Sequence, residues 1–255
     1  FKRPRKGKPI YTLFVSGPTG VGKTELAKAA AEYIFGDESY MFTVNVNSLQ
    51  GHGLSSLIGS PKGYAGSSEW GALTKHLRQT PETLILFDEL EKAGKDPNAE
   101  IYKMLLTMLD EGYVVEQSVQ HKVEATRSVI ILTANAAHEE LAQIIERYRK
   151  NPEIDYEDLE DEIKRALADW FAPEFLGRLD LITTLDPLSD ESIAEICVLH
   201  TLNLAKRYQL ELDYVDPKWL AGVVKKQKPR REKEGMRAMT RMLERQLVDY
   251  FHDAE

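Results

Sequence analysis

Gly17-Pro18-Thr19-Gly20-Val21-Gly22-Lys23-Thr24 fits the pattern G-x-x-x-x-G-K-[ST], and what flanks it decides the fold. Tyr11-Thr12-Leu13-Phe14-Val15 ahead of it is a short apolar run that predicts a buried strand. Glu25 to Phe35 behind it is rich in strong helix formers and closes on Gly36, which predicts a helix with a glycine stop. A glycine-rich turn between a buried strand and a helix is the setting in which such a loop cradles phosphates. Backbone N–H groups turn inward on the phosphate oxygens, and the helix N-terminus adds positive potential. In that setting Lys23 would reach the β- and γ-phosphates of a nucleoside triphosphate, and the Thr24 hydroxyl would ligate Mg²⁺. Gly17, Pro18, Thr19, Gly20, Val21 and Gly22 would line the cradle, with Glu25 at the start of the helix counted in the same cofactor-binding set.

Working outward, further strands are expected at 41–46, 83–87, 129–132 and 181–185. Thr83-Leu84-Ile85-Leu86-Phe87 is continuously apolar, as a central parallel strand buried on both faces should be. It delivers Asp88 and Glu89 at its C-terminal end, the edge at which doubly wound sheets bind ligands. Asp88 suits a Mg²⁺-holding carboxylate, and Glu89 suits the group that polarises an attacking water. The alternative is an acidic pair at an exposed helix start. Asn135 follows Val129-Ile130-Ile131-Leu132 and Thr133-Ala134 on the same edge. It could hydrogen-bond a γ-phosphate or the water, or simply cap a turn.

Gly51 to Gly66 is too glycine-rich for helix or strand interior, and it sets Tyr64 between glycine neighbours on a loop. Helices are expected at 69–79, 98–111, 136–149 and 163–171, with 112–127 a hairpin-like excursion or loop. The acidic run 153–162 reads as a solvated helix start and loop. Asp186-Pro187 marks a boundary beyond which strand–helix alternation stops. Ser189 caps a helix to about Tyr208, Pro217 opens another, and 235–252 forms a third. His200 has no second metal-type ligand spaced with it and reads as structural or surface. The expected organisation is a linker (1–9), a large α/β domain with a doubly wound parallel sheet (10–186), and a small helical domain (187–255) that looks truncated.

At 255 residues, 42% hydrophobic and 29% charged, the chain has an ordinary globular composition, with no apolar run long enough to span a membrane as a helix. Its one cysteine, Cys197, excludes an internal disulfide, reads as a core residue and favours a reducing, cytoplasmic setting. A net charge of −8 argues against general nucleic-acid affinity. Two basic clusters run against that balance: residues 2–8, and Lys225, Lys226, Lys228, Arg230, Arg231 and Lys233. Each is a solvated loop or a nucleic-acid or partner patch.

Three strings together resemble the AAA+ ATPases of the Clp chaperone–unfoldase family, most of all the second ATPase module of ClpB-type disaggregases. They are Gly17 to Leu26, Leu84 to Ala93, and Pro173-Glu174-Phe175-Leu176-Gly177-Arg178-Leu179-Asp180. The resemblance implies an AAA+ fold with a helical lid, and ATP hydrolysis to ADP and phosphate with Mg²⁺ in a ring, expected to be a hexamer. It makes Gly17 to Thr24 Walker A, Asp88 and Glu89 Walker B with Glu89 the base, and Asn135 sensor 1. Arg178 matches an arginine finger acting on the neighbouring subunit's site; taken alone, it could be a surface ion pair with Asp180 or Glu174. Arg237 matches sensor 2, or is a solvated helix-start arginine. Tyr64 matches the pore-loop aromatic that grips a threaded polypeptide, or is a packing tyrosine, and Ala65 stands where the family usually has valine. Glu116 to Gln120 lacks the Asp-Gly-x-Gly turn of the usual second pore loop. A peptidase-partnered unfoldase is an alternative, although no Ile-Gly-Leu or Ile-Gly-Phe docking tripeptide lies between Asn135 and Pro173. A nucleic-acid-handling loader or remodeller and a nucleotide-binding module without turnover are the others.

Overall fold

The computed structural model describes residues 7–49, 53–64, 67–94, 96, 99–151, 153, 155–234 and 236–252, without the side chains of 226–234, 237, 238, 246 and 249–252. In chain order the elements begin with β1 (Tyr11–Ser16), α1 (Lys23–Phe35), β2 (Met41–Asn45), α2 (Gly53–Ile58), α3 (Ala72–Gln79) and β3 (Leu84–Asp88). Then come α4 (Glu100–Glu111), β4 (Tyr113–Glu116), β5 (His121–Glu124), β6 (Val129–Ala134), α5 (His138–Lys150), α6 (Tyr156–Leu167), α7 (Pro173–Leu176) and β7 (Leu181–Thr184). Helices α8 (Asp190–Arg207), α9 (Pro217–Glu234) and α10 (Met236–His252) close the chain.

Five strands form one parallel sheet in the order β2-β3-β6-β1-β7, and β4 and β5 form a separate antiparallel hairpin. The alternation of side chains along each strand builds two cores. Phe14, Ile85, Phe87, Ile130 and Leu132 face one way, into a cluster with Leu73, Leu77, Leu105 and Phe175. Val15, Leu84, Leu86, Val129 and Ile131 face the other way, against Ala27 and Ala31 of α1. Aromatic contacts stiffen the first face: Phe14 meets Phe171 edge-on at 5.3 Å, and Tyr102 meets Phe175 at 5.6 Å. Strand β6 is buried at every position and lies between the phosphate-loop strand β1 and the acidic strand β3.

Residues 7–17 with 23–185 make one compact unit, and 18–22 with 186–252 make a second. The second has its own core, with Ile193, Cys197, Leu204, Met239 and Leu243 at its centre. Ser189 caps α8 by accepting the Ser192 N–H at 3.1 Å, and Pro217 opens α9. No helix among the described residues is long and apolar enough to cross a membrane.

Three local expectations are corrected. Residues 53–58 are helical despite the flanking glycines, because Leu54, Leu57 and Ile58 fall on one face and are buried together. The acidic stretch, expected as a helix start and loop, is a regular helix from Tyr156 onward. Asp155 caps it by accepting the Glu157 N–H at 3.2 Å, and carboxylates in its first turn favour the positive end of the helix dipole. That helix stops at Leu167, so Phe171 is buried from a turn and not from a helix face.

Candidate functional site

Parallel register builds the site. Phe87 pairs with Leu132 and Ser16 with Ala134, so β1, β3 and β6 end side by side. The residues just beyond, Asp88, Thr133 and Asn135, are brought to one edge. Thr133 Oγ1 donates a short hydrogen bond to Asp88 Oδ1, and the same oxygen accepts the Glu89 N–H at 3.3 Å. Glu89 has φ 60° and ψ 48°, a left-handed conformation that is uncommon for a side-chain-bearing residue. Holding it costs on the order of 1–2 kcal/mol. Such strain collects where a side chain must be aimed rather than packed.

Lys23 is the first residue of α1 and is buried, yet its ammonium is well bonded. Its Nζ donates to the Gly17 carbonyl at 2.6 Å and to Asn135 Oδ1 at 2.7 Å. Asn135 Nδ2 in turn donates to Glu91 Oε1 at 2.8 Å. A cation on one side and a carboxylate on the other leave the amide a single sensible orientation. Glu91 Oε2 is buried and has no hydrogen-bond partner among the described residues. Nearby, burial and then the Glu91 charge push the Tyr102 phenol up to about 12. Its O–H donates to the Gly94 carbonyl at 3.0 Å.

The residues fit a bound nucleoside triphosphate with Mg²⁺. Gly22 has φ 104°, and a Cβ there would meet nothing within 4 Å, so the loop backbone is open on that side. Thr24, half-buried in the first turn of α1, and Asp88 offer hard oxygen donors. No cluster of three or more His, Cys, Asp or Glu among the described residues is poised to hold a metal alone. Glu25 is exposed and pairs with Lys28 at 2.9 Å, one turn along α1. Within the second unit, the Met236 N–H meets the Gly20 carbonyl at 3.5 Å. Arg237 lies in α10, and its side chain falls outside the described residues.

Arg178 stands apart from this cluster. Its Nε lies 2.7 Å from Asp110 Oδ2 at the end of α4, with the N–H not aimed along that line. Lys8 Nζ takes the other Asp110 oxygen at 3.1 Å. The ion-pair partner is therefore Asp110, and not Asp180 or Glu174. Asp180 is engaged instead with the Thr12 N–H, at 3.0 Å. Tyr64 is 72% exposed on the segment between α2 and α3, so it is not a packing tyrosine, while Ala65 and Gly66 fall outside the described residues. Residues 2–6 of the first basic cluster, and the side chains of all but Lys225 in the second, also fall outside them.

A family model described as AAA domain (Cdc48 subfamily) matches residues 8–182. The chain belongs to that family. It is 38% identical over 201 residues to the chaperone protein ClpB of Chlamydia muridarum, covering 78% of this chain and 22% of that protein. It is 36% identical over 205 residues to the ATP-dependent Clp protease ATP-binding subunit ClpC of Staphylococcus aureus, covering 78% of this chain and 24% of that protein. A solved structure described as a closed state of Hsp104 with ATPyS and FITC casein superposes with a TM-score of 0.75. It is 27% identical, and the match covers 96% of this chain and 41% of that one. The chain thus spans under a quarter of the length of these two curated relatives.

Sequence reading missed Thr133, Glu91 and Asp110, which contact candidate side chains, and Glu116, which bonds Gly71 and Thr74 beside the Tyr64 segment. Thr133 and Glu91 lie within two residues of Asn135 and Glu89, and that adjacency was the available signal. Asp110 gave none, because its partners Lys8 and Arg178 are distant in sequence, and Glu116 gave little, because Gly71 and Thr74 lie more than forty residues away and only Ser118 is local.

Proposed function

We propose that this chain is the ATP-hydrolysing module of a Clp-type unfoldase or disaggregase, acting in a ring, hexameric by likeness to its family, and threading polypeptide with Tyr64. The observation that carries the reading is the bonded set Lys23–Asn135–Glu91 beside Asp88–Thr133–Glu89 at one sheet edge. Mg²⁺, held by Thr24 and Asp88, would neutralise charge on the β- and γ-phosphate oxygens. Lys23 would exchange the Gly17 carbonyl and Asn135 for phosphate oxygens. Asn135, kept in orientation by Glu91, would hydrogen-bond the γ-phosphate or the attacking water. Glu89 would orient that water and accept its proton. Arg178 would leave Asp110 to stabilise charge in the neighbouring subunit's site, and Arg237 would carry the γ-phosphate state to the helical unit.

Replacing Glu89 by Gln tests the chemistry. ATP should still bind while hydrolysis falls by roughly 10²- to 10⁴-fold. A rate within threefold of the unmodified chain would remove Glu89 from the mechanism. Replacing Tyr64 by Ala tests the threading, and unchanged unfolding of a tagged protein would remove that part of the proposal. The likeness to ClpC sustains a peptidase-partnered second reading. Retention on an immobilised peptidase ring would favour it over the disaggregase reading.

A further inference from the structure

Glu116 ends β4 and is completely buried, yet it takes no part in the phosphate cluster. Both of its carboxylate oxygens are saturated. Oε2 accepts the Gly71 N–H at 2.9 Å and a short bond from the Thr74 hydroxyl. Oε1 accepts the Ser118 N–H at 3.1 Å and the Ser118 hydroxyl at 2.5 Å. Burial raises its pKa, but the bonds from Ser118, Thr74 and Gly71 outweigh burial and hold it below the usual glutamate range. It is therefore a buried carboxylate kept ionised by its donors.

The donors sit at informative places. Gly71 closes the segment that carries Tyr64, and Thr74 lies in the first turn of α3. Gly59 opens that segment, and a Cβ on Gly59 would fall 1.8 Å from Glu116 Oε1. A Cβ on Gly71 would fall 2.4 Å from the Gly59 nitrogen. The two feet of the Tyr64 segment thus touch each other, and the Glu116 carboxylate rests on both. On its other side, Ser118 belongs to the turn of the β4–β5 hairpin, and the neighbouring Gln117 N–H donates to the Ile58 carbonyl at 2.7 Å.

We infer that Glu116 is the positioning residue that clamps both feet of the Tyr64 segment to the β4–β5 hairpin, so that grip on a polypeptide depends on it. The inference rests on the reading of Tyr64 as the gripping residue. Replacing Glu116 by Gln is a demanding test because the shapes match. Each carboxylate oxygen faces one backbone N–H, which cannot rotate away. The new amide nitrogen must therefore face either the Gly71 or the Ser118 N–H, donor against donor. Losing a buried bond to a charged acceptor corresponds to roughly a ten- to hundredfold change in a local opening equilibrium.

The 255-residue chain would be compared with its Glu116→Gln, Ser118→Ala and Tyr64→Ala forms by hydrogen exchange, by the Trp70 contribution to fluorescence and by binding of a fluorescein-labelled unfolded protein. Trp70 adjoins Gly71, sits 6.3 Å from the His121 ring and lies under the Arg78 guanidinium at 4.7 Å, so it reports on the clamp directly. Its share of the emission is read as the difference from the matching Trp70→Phe chain. Glu116→Gln should speed exchange at Gly71 and Ser118 roughly tenfold or more. It should also red-shift the Trp70 emission and weaken polypeptide binding, with β6 amides unchanged. Ser118→Ala should do the same in smaller measure. Unchanged exchange at Gly71, or unweakened polypeptide binding where Tyr64→Ala is weakened, would overturn the clamp and leave the proposed function standing. Loss of protection in β6 as well would also overturn it, making Glu116 a support of the fold. Unchanged binding in Tyr64→Ala would count against the gripping reading instead, and the exchange data would still decide whether the clamp exists.

Discussion

Replacing Thr133 by Val should separate the aiming of the acidic pair from the fold that carries it. Valine keeps the shape and β-branching of threonine, so no cavity opens at this fully buried position on the central strand. What is lost is the hydroxyl. Asp88 loses its donor and the Glu89 N–H loses its acceptor at 3.3 Å. The bond to a charged carboxylate is worth about 1.5–3 kcal/mol, and the long bond from Glu89 is worth at most about 1 kcal/mol. The added apolar contact of the second methyl offsets up to about 1 kcal/mol. The net is a destabilisation of about 2 kcal/mol, read as a lower urea midpoint with an unchanged slope. Freed from Thr133, Asp88 should rotate and the left-handed turn at Glu89 should relax. ATP hydrolysis should then fall about tenfold or more with the Mg²⁺ requirement raised. Thr133→Ser, which keeps the hydroxyl and loses a methyl, should be destabilised comparably while retaining turnover. If Thr133→Val hydrolysed ATP at the unmodified rate and Mg²⁺ dependence, the claim that Thr133 aims the pair would fail.

Three further outcomes are expected. Asp110→Ala should change stability by less than about 1 kcal/mol in urea, because its pair with Arg178 is partly exposed and screened; a loss above 2 kcal/mol would mean that the pair is structural. Glu116 and His76 both have depressed folded-state pKa values, Glu116 from its hydrogen bonds against burial and His76 from burial. Their contributions are present above the ordinary values of 4.5 and 6.5 and are lost as pH falls below them, so the urea midpoint should drop from pH 7 through pH 4 and a flat profile would refute the assignment. Burial pushes the Cys197 thiol up to about 11, so it should resist a thiol reagent at pH 8 until the helical unit unfolds, and rapid labelling of the native chain would contradict its core placement.

The sheet was legible because its signals are local. The apolar runs at 11–15, 83–87 and 129–132 are each buried strands, and the residues that follow them reach one edge because parallel strands share a direction. Lys23, Asp88, Glu89 and Asn135 could be named from sequence for that reason. Asp110 was hidden because its Arg178 partner lies far along the chain, on the other side of β4, β5 and β6, with no periodicity to announce it. The helix at 53–58 was hidden by its glycines, although its three apolar side chains decide the local structure. Glu116 was hidden because the segment Glu116 to Gln120 carries no glycine to mark a turn. The structure instead makes that position a buried acceptor for four donors.

The clamp and the phosphate edge draw on one continuous core, which constrains how one can influence the other. Leu57, Ile58, Leu73 and Leu77, which carry the feet of the Tyr64 segment, share a cluster with Ile85, Phe87, Leu132 and Ala134, which carry the acidic edge. Close-packed interiors transmit displacement rather than absorb it. A change at Asp88 or Asn135 should therefore move the clamped hairpin and Tyr64 segment as part of the first unit, and not bend the segment about its own feet. Leu77→Ala tests this, since Leu77 is 1% exposed on α3 and belongs to that shared cluster. It should cost about 2–5 kcal/mol and loosen hydrogen exchange in 60–71 and 84–88 together. Loosening confined to 60–71, with 84–88 protected as before, would mean that the segment moves on its own and that the shared core is not the link.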